Sequence, residues 1–122
     1  MKRFILLLSI IWGTITCAVA QSDYYMRQAQ SFQHEAEYYI RQAQGYDREA
    51  EYYNRQAQSH LRNAEYYSKR QNFDQAKLYQ NRAKDATENA ESYKRKADSS
   101  RDKATSYMKK AERALQQARE SR

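Results

Sequence analysis

The stretch Ala36-Glu37-Tyr38-Tyr39-Ile40-Arg41-Gln42-Ala43-Gln44-Gly45-Tyr46-Asp47-Arg48-Glu49 is followed directly by Ala50-Glu51-Tyr52-Tyr53-Asn54-Arg55-Gln56-Ala57-Gln58-Ser59-His60-Leu61-Arg62-Asn63. Each copy is two heptads long. Alanine holds every seventh position from Ala29 to Ala64 and again from Ala76 to Ala118, and an aromatic residue stands three places after most of them: Phe32, Tyr39, Tyr46, Tyr53, Tyr67, Tyr79, Tyr93 and Tyr107. Small and large residues in a three–four split of seven mark a helix that packs on another helix along a narrow seam. Weaker copies of the unit begin at Ala64, Ala76, Ala90 and Ala104. Fourteen residues rise about 21 Å in a helix and return to the same face, so the units are pieces of long helices and not helix pairs of a solenoid.

The period breaks once, between Ala64 and Ala76, which lie twelve residues apart. At about 100° per residue, an unbroken helix would carry its seam roughly a third of a turn off its face there. The intervening residues favour a reversal: Lys69 and Arg70 suit a helix C-terminus, Asn72 a left-handed cap, and Asp74 the N-cap of a second helix. The expected fold is all-α, a long antiparallel helical hairpin of coiled-coil type, with arms over 23–70 and 75–120 and a turn at 71–74.

Residues 64–83, Ala-Glu-Tyr-Tyr-Ser-Lys-Arg-Gln-Asn-Phe-Asp-Gln-Ala-Lys-Leu-Tyr-Gln-Asn-Arg-Ala, resemble the helix-turn-helix of a tetratricopeptide repeat. Ala64 and Tyr67 match the small and Tyr positions of that family's first helix. Phe73, Asp74 and Ala76 match its turn and second-helix entry, and Tyr79 and Ala83 its later packing positions. Gln71 replaces the usual turn glycine, the terminal proline is missing, and the rest of the chain repeats every 14 residues instead of 34. The resemblance covers about one repeat, implies the hairpin and carries no ligand residues.

At the amino end, Lys2 and Arg3 precede an apolar run from Phe4 to Trp12, and Ala18-Val19-Ala20 forms a small-residue cleavage signal. Residues 1–20 therefore read as a signal peptide of bacterial type, with retention as an anchor as the rival, and the destination as periplasm or full secretion. Its removal lowers the formal net charge from +7 to +5 and leaves 21–122 with no Cys, Trp or Pro and with Gly45 as the only glycine. No disulfide can form, so helix packing alone must hold the fold.

Tyr24, Tyr38, Tyr52 and Tyr66 each precede a seam tyrosine and widen the apolar stripe of the first arm, with Met26, Ile40 and Leu61 on its other flank. Three readings stand: a shield over the seam edge, a self-association face that turns two hairpins into a four-helix bundle, or a ligand face. The first arm carries an outer ridge of Arg27, Arg41, Arg48, Arg55, Arg62 and Lys69, yet residues 21–70 balance seven basic against seven acidic residues. The second arm is more basic, and Lys94, Arg95, Lys96, Lys109 and Lys110 are its candidate contacts for a polyanion such as anionic lipid or cell-surface polysaccharide. Export and the lack of a dedicated motif argue against nucleic acid.

No catalytic, cofactor or metal motif is present. His34 and His60 lack helical metal-binding spacing, and the sequence has no phosphate-cradling glycine loop or serine elbow. His60 takes a seam position where tyrosine is usual, as a polar filler. The expected function is that of an exported, non-enzymatic structural or interaction protein of the bacterial envelope, self-associating through its helices. The alternative is a periplasmic binding module or holdase-like chaperone.

Overall fold

The computed structural model describes the backbone of residues 2–121 and the side-chain surroundings of residues 19–121. It is all-α: α1 (Lys2–Lys69) and α2 (Phe73–Glu120) are packed against each other as an antiparallel helical hairpin. With no proline in the chain, neither helix meets an obligatory kink. The leader and cleavage motif expected at 1–20 have most of their side chains outside the described residues. The α1 backbone runs through position 21 without interruption. Among the described residues, no helix is long and apolar enough to cross a membrane.

The reversal is tighter than expected, because α2 starts at Phe73 and not at 75. Two cap assignments are also corrected. Gln71, not Asn72, takes the left-handed conformation, with φ of 59°. Its N–H donates to Ser68 O and the Asn72 N–H donates to Tyr67 O, both at 3.0 Å. This is the crossed pair of bonds that closes a helix end through one left-handed residue. Asn72 then opens α2: its Oδ1 accepts from the Gln75 N–H at 3.4 Å, and its carbonyl accepts from the Ala76 N–H at 3.0 Å. Asp74 lies inside the first turn, where its carboxylate faces the positive end of the helix dipole. Two adjacent residues, Gln71 and Asn72, end one helix and begin the next.

The chain divides into two compact units. One joins residues up to Tyr38 with those from Lys103 onward, and the other is Tyr39–Asp102, which contains the turn. Both bury the heptad alanines. In the first, Ala29, Ala36, Ala104, Ala111 and Ala118 are buried, and Ser22 takes an alanine place. In the second, Ala43, Ala50, Ala57, Ala64, Ala76, Ala83, Ala90 and Ala97 are buried, with Ala97 at 0 % exposure. Side chains this small let two helix backbones approach closely, and the larger rings then lie beside the line of contact.

The left-handed Gln71 supplies a direct test of the turn. A non-glycine residue pays about 1–2 kcal/mol for this conformation, and glycine returns part of that gain as unfolded-chain entropy. Gln71→Gly should raise stability by about 0.5–1 kcal/mol in urea unfolding, whereas Asn72→Ala should lower it by about 1 kcal/mol through loss of the cap.

Candidate functional site

Along the seam of the Tyr39–Asp102 unit, each aromatic of α2 lies between two aromatics of α1. Tyr93 stacks on Tyr53 at 5.6 Å and 11° and meets Tyr46 at 6.1 Å; Tyr79 stacks on Tyr67 at 5.5 Å and 9° and meets His60 at 6.0 Å. Such pairs contribute about 0.5–1.5 kcal/mol each beyond burial. A cation closes each group. The Arg82 guanidinium lies 5.1 Å from the Tyr79 ring, and Lys96 Nζ lies 4.8 Å from Tyr93 and 6.0 Å from Tyr46. The other unit repeats the pattern, with Phe32 against Tyr107 at 6.2 Å and Lys110 Nζ 5.0 Å from Tyr107 and 5.9 Å from Phe32. Arg82, Lys96 and Lys110 each stand three residues after an α2 aromatic.

This placement divides the basic residues singled out from the sequence. Lys94, Arg95, Lys96, Lys109 and Lys110 are all exposed, but Lys96 and Lys110 lay their ammonium groups over seam rings. The outer ridge of α1 carries Arg55–Glu51 and Lys69–Glu65 ion pairs at 3.5 and 3.2 Å between well-exposed side chains, which contribute little. Arg101 bridges the helices to Asp47 and also reaches Asp98 at 3.3 Å.

Between the aromatics of α2, the alternate seam positions hold small buried residues: Ala86 and Ser100 in one unit, Ala114 in the other. Their alternation with Tyr79, Tyr93 and Tyr107 is the physical content of the 14-residue repeat in α2. Ser100 Oγ donates to Gln42 Oε1 at 3.3 Å across the seam. Gln56 has the place of Gln42 one repeat later, but Ala86 offers it no hydroxyl, and its Nε2 donates instead to Tyr52 Oη at 3.2 Å. Gln28 does the same with Tyr24 Oη at 3.1 Å. A groove of about 270 Å³ opens above Ala86, with Tyr52, Tyr53, Gln56 and His60 on the α1 side and Arg82, Asp85 and Asn89 on the α2 side.

Tyr24 and Tyr38 are 59 and 56 % exposed in one unit, and Tyr52 and Tyr66 are 52 and 48 % exposed in the other. Tyr24, Tyr52 and Tyr66 stand edge-on to the next tyrosine at 5.2–5.4 Å. Arg70 covers the Tyr66 ring at 4.3 Å. At this same heptad position the tyrosines alternate with Ser31, Gly45 and Ser59. A Cβ added at Gly45 would meet nothing within 4 Å, and its φ is not positive, so this fold does not itself require glycine there. Among the described residues, no three His, Cys, Asp or Glu side chains gather in a way that could hold a metal ion. Compared with known protein families, curated proteins and solved structures, the chain matches none of them.

His60 provides a test of the ring seam. Its Nδ1 is buried without a hydrogen-bond partner, among rings that elsewhere are tyrosine or phenylalanine. His60→Phe, which copies the Phe32–Tyr107 pairing, should raise stability by about 1 kcal/mol by removing the unsatisfied nitrogen. Thermal unfolding followed by circular dichroism measures this, and a fall in stability would refute the packing assigned to His60.

Proposed function

We propose that this chain is an exported, non-enzymatic helical interaction protein of the bacterial envelope that associates with a second copy of itself through the tyrosine-bearing flank of α1. The single observation that carries this reading is the exposure of two tyrosines at one heptad position in each unit, beside seam tyrosines already packed in their own fold. Rings left about half exposed on a regular helix face are suited to anchoring an interface, where aromatic residues often dominate the binding energy. The Ser31, Gly45 and Ser59 gaps support the same reading. They leave notches beside the rings, and at Gly45 the space is open. A helix-interior glycine costs about 1 kcal/mol relative to alanine, and a close approach by a partner helix would account for keeping it.

The positively charged start, the apolar run to Trp12 and the Ala18-Val19-Ala20 motif support export. A seam filled by alanine and aromatic side chains supports a role in association over one in catalysis.

Sedimentation velocity tests the proposal. The chain is expected to form one defined oligomer, and simultaneous Tyr24→Ser, Tyr38→Ser, Tyr52→Ser and Tyr66→Ser replacement should shift it to monomer while the helical circular dichroism signal persists. Unchanged assembly would assign these tyrosines to shielding of the seam edge, and loss of helicity would place them in the core.

A further inference from the structure

The groove above Ala86 shares Tyr52 with the tyrosine flank but adds polar groups of α2 to it. On the α1 side Tyr52 offers a half-exposed ring, and Gln56 an amide tied through its Nε2 to the Tyr52 hydroxyl, which leaves its Oε1 as an acceptor. On the α2 side Arg82, Asp85 and Asn89 follow one another at helical spacing on one face. Asp85 and Asn89 have no hydrogen-bond or ion-pair partner among the described residues. The contrast with the neighbouring small position is direct. There Ser100 holds Gln42, and Arg101 is paired with Asp47 and Asp98, so the polar groups satisfy one another. At Ala86 the corresponding serine hydroxyl is missing, Gln56 turns to Tyr52, and Asp85 and Asn89 of α2 line the gap.

The inventory restricts what fits. About 270 Å³ lies just below the roughly 300–1,000 Å³ of sites that take drug-sized molecules, so the groove suits a single ring. Arg82 and Asp85 cancel in charge, which disfavours an anion as well as a cation. A planar carboxylate, a planar amide and a guanidinium present both acceptors and paired donors, the arrangement that meets adjacent hydroxyls two at a time. Beside them a tyrosine ring provides a flat apolar surface for a face lined with C–H groups. A molecule with hydroxyls around its edge and C–H bonds on its face is a sugar ring.

We infer that the groove above Ala86, between Tyr52 and Gln56 on α1 and Asp85 and Asn89 on α2, is a binding site for a neutral hexopyranose ring. It goes beyond the self-association reading, because Asp85 and Asn89 are not part of the tyrosine row. The affinity is weak for one ring, since few polar contacts must offset the cost of association.

Titration of the isotope-labelled chain, followed by amide NMR, tests the site with glucose, N-acetylglucosamine, the β-1,4-linked trimer of each, and inorganic phosphate. Saturable shifts at Gln56, Ala86 and Asn89 are expected with at least one sugar in the millimolar range. Tighter binding of a trimer than of its monomer assigns the ring to a glycan chain, and equal binding assigns it to free sugar. Asp85→Ala with Asn89→Ala should weaken binding by ~10-fold or more while sedimentation and helicity stay unchanged. As a gentler variant, Ala86→Ser should draw Gln56 across the seam as at Ser100 and weaken binding too. Absence of saturable shifts with every sugar to about 100 mM, shifts with phosphate alone, or sugar binding that survives the double replacement would overturn the inference.

Discussion

Everything in this structure follows from the closeness of two helix backbones, which alanine at every seventh position permits. Helices that meet through methyl groups leave no room between them for rings. The aromatic residues lie beside the contact line, where one ring from α2 inserts between two from α1, as Tyr93 does between Tyr46 and Tyr53. Stacking in this manner requires a ring on α2 only at every second heptad. The heptad between takes Ala86, Ser100 or Ala114, and the sequence period doubles to fourteen.

A thin seam has edges, and the chain treats them with amphipathic side chains. Arg82, Lys96 and Lys110 lay cationic ends over the α2 rings, an interaction of about 0.5–1 kcal/mol at exposed sites, while their aliphatic stems cover apolar surface. Cross-seam polar bonds in the Tyr39–Asp102 unit include Ser100 to Gln42 and Arg101 to Asp47. Where that polar closure is absent, at Ala86, a groove remains. Structural economy in the seam and binding capacity at its edge are in this way two results of one alternation.

Most of the fold was legible because it is periodic. The alanine ladder, the seam aromatics and the reversal between Ala64 and Ala76 are patterns of spacing, and spacing is what a helix converts into a face. The caps were harder: Gln71 has no local preference for a left-handed conformation, and only the need to end α1 and start α2 within three residues places it there. The seam roles of Ala86, Ser100 and Ala114 are less legible, because their meaning lies in the ring that is absent. A recoverable signal existed in the regular offset of Tyr79, Tyr93 and Tyr107, with a basic residue three places on and a small residue seven places on. The division of the basic clusters was not legible either. Lys96 and Lys110 differ from Lys94 and Lys109 only by their position around the helix, which decides between a ring and solvent. The groove itself arises from side chains on both helices and had no counterpart in either helix's sequence alone.

These relations rest on a close approach of the two helices, and Ala97, fully buried on α2, is the place to challenge it. Equilibrium urea unfolding of Ala97→Leu, compared with Arg95→Leu on the exposed surface nearby, measures it. Overpacking a tight seam should lower the unfolding free energy by about 1–3 kcal/mol, while the exposed replacement should stay within about 0.5 kcal/mol of the parent. Equal or increased stability of Ala97→Leu would show that the helices do not meet closely at the alanine positions, and would contradict the account.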